Sequence, residues 1–258
     1  MSYWMTGGLL LLWAVNVGAE IHTESVEYRH GDTILEGFLA YDSSVSGKRP
    51  GVLVVHEWWG NNSYSKRRAE QLAGLGYIAF ALDMYGKGVI AKDAKEAGKL
   101  VGMYKNDRKL MRTRANAGLE VLRRHKLTDA SRVAAIGYCF GGTTVLELAR
   151  SGAPLSGAVC FHGTLDTPFP DDAKNIKGKV LVLTGGDDRF VPPEQVAAFE
   201  DEMRKGGVDW QINAYSGAVH GFTNPDNGGD KSTNIAYNEK ADKRSWEAMK
   251  SFFDEIFK

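Results

Sequence analysis

Residues 133–142 read VAAIGYCFGG, an apolar run that ends in a cysteine spaced between two glycines and followed by a third. The run has the length of a buried strand, and the residues after it begin a helical pattern, GTTVLELARS over 142–151. A sharp strand-to-helix turn of this kind needs residues without side chains at Gly137 and Gly141, where chain segments cross, and Gly142 lets the helix approach the sheet. The residue at its apex, Cys139, stands above the strand ends at a helix N-terminus, where the helix dipole favours an anion. Gly-x-nucleophile-x-Gly turns more often carry serine, so the stretch raises the question of whether Cys139 is a nucleophile. The alternative is a cysteine packed as a small hydrophobe.

The flanking chain supplies the setting such a turn requires. SVEYRHGDTILEGFLAY (25–41) alternates on both sides of His30-Gly31-Asp32 and predicts an antiparallel hairpin. GVLVVHEW, YIAFALDMYG, RVAAIGYC, LSGAVCFHG, KVLVLTGGDD and DWQINAYSG follow as strands, most of them apolar without alternation. Helical stretches separate them: one from an N-cap at Ser63 through Leu75, two within 91–126 broken near Asn106-Asp107, one from Pro193 to Lys205, and a terminal helix over 235–257. Strands buried on both faces and alternating with helices predict an α/β fold. Its mostly parallel central sheet carries an N-terminal antiparallel hairpin and helices on both faces. No linker or repeat divides residues 20–258, which read as a single domain.

The bulk properties narrow the partners. With 32 Lys+Arg against 32 Asp+Glu, the chain has no basic excess for nucleic acid or an anionic membrane, leaving a small molecule as the expected partner of a monomer or small homo-oligomer. Residues 1–19 carry no charged side chain, and Leu9 to Val15 form an apolar run too short to cross a bilayer. With VGA before Glu20, the segment reads as a signal peptide, so the mature chain is expected to be exported and free of the membrane. An uncleaved anchor is the competing reading. The two cysteines, Cys139 and Cys160, are too few for a disulfide scaffold, and Cys160 lies inside the apolar GAVCF as a core residue.

A cysteine nucleophile needs a base and a group to orient it, and at such an elbow the chain order is nucleophile, acid, histidine. Downstream, GGDD (185–188) ends a strand and YSGAVHGF (215–222) brings His220. His56 and His162 also follow strands but break that order, while His22, His30 and His125 belong to surface stretches. No phosphate-cradling, dinucleotide or HExxH pattern occurs, and NPDNGGD (224–230) lacks the ligand spacing of a calcium loop. No metal and no organic cofactor is implied.

HEWWG, ALDMYG, GYCFGG, GGDDRFVP and HGFTNP together resemble the dienelactone hydrolase family of the α/β-hydrolase fold, across nearly all of residues 25–258. The resemblance implies hydrolysis of carboxylic esters or lactones through a triad of Cys139, Asp188 and His220 and an acyl-enzyme, with Asp188 rather than Asp187 as the acid. It also implies that Glu57 pairs with the resting thiol and moves when substrate arrives. The backbone N–H of Phe140 and that of Trp58 are the expected oxyanion hole. Trp58, Trp59 and Tyr85 are expected to wall an apolar pocket.

The sequence departs from the family where two arginines grip a substrate carboxylate: Lys87 and Asn224 stand there. If both face the pocket, small neutral esters should be favoured over carboxylated lactones, because an asparagine cannot replace a bidentate fork. Thioesterase or acyl-transfer chemistry on the same triad, and a non-catalytic thiol sensor on the same scaffold, are the alternatives.

Overall fold

The computed structural model describes residues 19–258. The signal-peptide expectation falls on residues 1–18 and residue 19, so that all but its last residue lies outside the described residues.

The hairpin forms from β1 (Ile21–His30) and β2 (Thr33–Asp42), paired antiparallel in unbroken register from Ile21–Asp42 to His30–Thr33. Its turn is Gly31-Asp32, with Gly31 at φ 58°, a conformation open to glycine at little cost. β3 (Arg49–Val55), β4 (Ile78–Leu82), β5 (Thr128–Tyr138), β6 (Gly157–Phe161), β7 (Lys179–Gly185) and β8 (Trp210–Tyr215) follow. The eight strands form one sheet in the order β1-β2-β4-β3-β5-β6-β7-β8. β2 meets β4 antiparallel, and every pairing beyond it is parallel.

Among the described residues six α-helices flank the sheet: α1 (Ser63–Gly74), α2 (Ala94–Lys105), α3 (Arg108–Arg124), α4 (Phe140–Arg150), α5 (Pro193–Gly206) and α6 (Glu239–Ile256). Successive residues of one strand serve opposite cores. Leu53 and Val55 of β3 pack with Met111, Leu119 and Leu122 of α3 and Val145 of α4. Val52 and Val54 pack with Leu72 of α1 and Met249 and Phe253 of α6. This two-sided burial is why the central strands read as continuous apolar runs. On the α4 side, α5 closes a further cluster through Phe199 and Met203 against Val180 and Val182 of β7.

Two boundaries differ from the sequence reading. The cap of α1 is Asn62, whose side chain accepts from the Tyr64 amide at 3.0 Å, so Ser63 is the first helical residue. The terminal helix starts at Glu239, capped by Asn238, because Ile235 is drawn into a parallel bridge with His220 and Ala236 donates to the His220 carbonyl at 3.1 Å. The break between α2 and α3 falls at Asn106-Asp107, where Asp107 caps α3 by accepting from Leu110 N at 2.8 Å. Among the described residues no helix is long and apolar enough to cross a membrane.

Candidate active site

β5 ends at Tyr138, α4 begins at Phe140, and Cys139 makes the turn between them at φ 55° and ψ −116°. A β-carbon at Gly137 would collide with the Gly141 carbonyl, and one at Gly141 would collide with the Val55 carbonyl. The two glycines are therefore required by backbone crossing on either side of the cysteine. Cys139 N donates to Phe161 O at 3.0 Å, which ties the turn to the neighbouring strand β6.

The loop after β8 carries His220 to the same edge. His220 Nε2 lies 3.0 Å from Cys139 Sγ, and His220 Nδ1 lies 2.9 Å from Asp188 Oδ2. Asp188 follows β7, and its other oxygen accepts from Phe190 N at 2.9 Å and Asn234 Nδ2 at 3.2 Å, leaving Oδ2 to face the imidazole. Asp187 is exposed. Burial alone would depress the His220 pKa. A thiolate at Cys139 beside Nε2, together with the Asp188 carboxylate, would outweigh it and push the imidazole up to about 10.

Asn234 was not singled out in the sequence. It sits at φ 65°, accepts from Arg189 N through its side chain, and takes His220 N on its carbonyl at 3.1 Å, so it ties Asp188 and His220 together. The only sequence signal for it is the tolerance of asparagine for the left-handed region.

Cys139 and His220 open on a cavity of about 420 Å³. Trp58, Trp59, Val101, Phe140, Phe190 and Ile235 give it an apolar wall, with Glu57, Lys105, Thr143, Thr164 and Asn227 as polar members. Its size suits a small organic molecule. Trp58 and Trp59 meet at 4.9 Å between ring centroids, and Phe190 stands edge-on to His220 at 5.1 Å. Among the described residues, no backbone carbonyl outside the helices and strands accepts from the amides of Trp58 and Phe140, the two expected oxyanion donors.

Three expected pocket residues are placed otherwise. Lys87 projects from the outer surface, half exposed, and pairs with Glu27 at 2.8 Å and Glu36 at 3.7 Å, because its loop runs along the hairpin and not over the cavity. Asn224 is buried, does not line the cavity, and donates to Glu57 Oε2 at 2.7 Å, so its amide is spent on the protein. Tyr85 is packed behind the pocket, where its hydroxyl donates to Trp58 O at 3.0 Å and braces that loop. The cation that does line the cavity is Lys105, one helical turn beyond Val101 on the same face of α2.

Glu57 also differs from its expected resting partner. The thiol sulfur is directed at His220, while the Glu57 carboxyl is held by Asn224. Burial raises Glu57 to about 7, against the lowering effect of the Asn224 hydrogen bond. Cys160 is fully buried, and burial pushes its thiol up to about 12, as suits a core residue.

A mostly parallel sheet with a nucleophile elbow at its centre, and an acid and a histidine on the loops that follow, is the α/β-hydrolase fold. The chain belongs to the dienelactone hydrolase family, whose model matches residues 35–257. It is thus an enzyme of the ester- and lactone-hydrolase kind. It is similar to the crystal structure of a dienelactone hydrolase-like promiscuous phosphotriesterase from metagenomic libraries, with 42% identity, a TM-score of 0.87, and 93% of this chain and 99% of that one covered. It is 30% identical over 240 residues to an Aquifex aeolicus protein provisionally named a carboxymethylenebutenolidase, covering 91% of this chain and 99% of the relative. Protein usf of Aquifex pyrophilus is 32% identical over 206 residues, 78% of this chain and 87% of its own.

Proposed function

We propose that the protein hydrolyses small, largely apolar carboxylic esters or lactones through a Cys139 thiolate and an acyl-enzyme. The observation that supports this is the unbroken line from Asp188 Oδ2 through His220 to Cys139 Sγ, at 2.9 and 3.0 Å, on the wall of the cavity. His220 Nε2 takes the thiol proton, and Asp188 stabilises the resulting imidazolium. The sulfur attacks the substrate carbonyl, whose oxygen gains the negative charge beside the Trp58 and Phe140 amides. As the tetrahedral adduct collapses, the carbon–oxygen bond to the leaving group breaks and the alcohol oxygen takes the proton from His220. Water, deprotonated by the same imidazole, then cleaves the thioester and frees the acid and the thiol.

Hydrolysis of a short p-nitrophenyl ester, with and without prior alkylation by iodoacetamide, tests the reading. Turnover that alkylation abolishes supports it. Alkylation of a protein that never turned over an ester would instead favour a thiol sensor on this scaffold.

The similarity to a phosphotriesterase supports a second reading, slow cleavage of phosphotriesters at the same cysteine. Release of p-nitrophenol from diethyl p-nitrophenyl phosphate, lost on alkylation, would establish it. Export is part of the proposal, supported by the uncharged stretch before Glu20, and N-terminal sequencing of the recovered protein checks it.

A further inference from the structure

Among the described residues, three that are not glycine adopt a positive φ: Cys139 at 55°, His162 at 40° and Asn234 at 65°. Such conformations persist only where the surroundings enforce them, and they gather at functional sites. Cys139 is the elbow and Asn234 holds Asp188 and His220. His162 has no part in the triad, yet it lies against two of its members, the Cys139 amide and the His220 ring.

His162 follows β6, the strand beside the elbow, and is fully buried. Its Nδ1 shares the Cys139 amide hydrogen with Phe161 O, at 3.1 Å against 3.0 Å, so Nδ1 carries no proton and Nε2 carries it. Nε2 lies 2.7 Å from Thr223 Oγ1 and donates to it. Thr223 is three residues past His220 in the same loop. That loop is anchored further out: Thr223 Oγ1 meets Tyr64 OH at 2.6 Å, and Arg68 Nη2 donates to Thr223 O at 2.8 Å and to Asp242 at 2.6 Å. The His162 ring also stands edge-on to His220, 5.3 Å between centroids.

We propose that His162 is a positioning residue that clamps the nucleophile turn to the histidine loop through Thr223 and so sets the Cys139–His220 approach. Burial, His220 and Arg68 keep its ring neutral, so Nδ1 remains an acceptor for the elbow amide while His220 cycles through its charged form. The inference rests on the proposed thiolate mechanism, since it concerns the approach that forms the ion pair.

The test is Thr223→Val, which keeps the shape and removes the acceptor, beside Thr223→Ser, which keeps it. The expected result for Thr223→Val is a loss of about tenfold in kcat on p-nitrophenyl butyrate with KM within about twofold, and a parallel loss in the iodoacetamide alkylation rate of Cys139 at neutral pH. Thr223→Ser should stay within about twofold of the wild type in both. Wild-type rates for Thr223→Val, or equal losses in the two variants, would overturn the clamp. If Thr223→Val does not fold, His162→Asn carries the test, because asparagine tolerates the positive φ and can accept from Cys139 N but cannot reach Thr223. Wild-type rates in that variant overturn it equally. Alkylation reports on the clamp whether or not esters are turned over. Normal alkylation in Thr223→Val with a dead Cys139→Ala would remove only the clamp, whereas ester turnover surviving in Cys139→Ala would remove the mechanism.

Discussion

Asn224 Nδ2 donates a 2.7 Å hydrogen bond to Oε2 of Glu57, which lines the cavity. The contact joins a residue expected to pair with the resting thiol and one expected to face the substrate into one pair. Glu57 is 5% exposed, and its pKa rises from 4.5 to about 7. A carboxyl whose pKa is higher folded than unfolded binds its proton more tightly in the native state. Its contribution is therefore greatest below 4.5 and is lost as pH climbs through about 7, by roughly 3 kcal/mol.

Glu57→Gln is expected to abolish that loss. Urea unfolding of both proteins at about pH 5 and about pH 8 measures it: the wild type should lose more stability on going to the higher pH than the variant does. His220 contributes a decline of the same sign above its unfolded value in both proteins, so the difference between them reads the Glu57 step together with its coupling to His220. Parallel pH dependences would mean that Glu57 titrates in the folded state as it does in water.

Cys139→Ala and His220→Ala are each expected to lower kcat/KM on a short p-nitrophenyl ester by at least about a thousandfold, and the double variant should be little worse. Residues that act as one unit fail together. Multiplicative losses would indicate that the 3.0 Å contact between them is not used in the reaction. Cys139→Ser should also be poor, since a hydroxyl gives up its proton far less readily than a thiol.

Asp188→Asn is expected to cost far more activity than Asp187→Asn with the fold intact in both. Only Asp188 reaches His220 Nδ1, and an amide there cannot balance the imidazolium charge. Steady-state kinetics with circular dichroism on both variants decides it, and the reverse ranking would transfer the acid's role to Asp187.

The placement of Lys87 and Lys105 exchanges their expected effects on substrate charge. Lys87→Ala should leave unchanged the ratio of kcat/KM for a carboxylated ester to that for its neutral isostere, because Lys87 is paired with Glu27 and Glu36 away from the cavity. Lys105→Glu should lower that ratio by about tenfold at low salt and by less at high salt, as expected for an exposed charge on the cavity wall. A ratio that follows Lys87 would return that residue to the site.

The sequence made the central architecture legible because the central strands are buried on both faces. Leu53 and Val54 serve opposite cores, so both had to be apolar, and the elbow glycines at 137 and 141 are fixed by backbone collisions that no other residue avoids. Local signals failed where a distant segment decides. Ile235 has the composition of a helix start but is taken by a bridge to His220, and Asn62 and Ser63 are equally good caps until the chain direction selects one. Side-chain direction was the least legible feature. Lys87 and Asn224 fall at positions that matched a pattern, yet one is drawn to the hairpin by two glutamates and the other is turned inward by Glu57. Lys105 reaches the cavity from α2 and Asn234 bonds Asp188 across the fold, and neither lies in a motif.

If Cys139 carries the acyl group, intact-mass spectrometry of protein quenched in acid during turnover of p-nitrophenyl acetate detects it as a covalent adduct. The expected result is a population heavier by one acetyl group, which peptide mapping assigns to Cys139 and which is absent from Cys139→Ala. A His220→Ala protein should form it far more slowly. Sustained turnover with no adduct at any quench time, or an adduct at another residue, would contradict a covalent mechanism at Cys139.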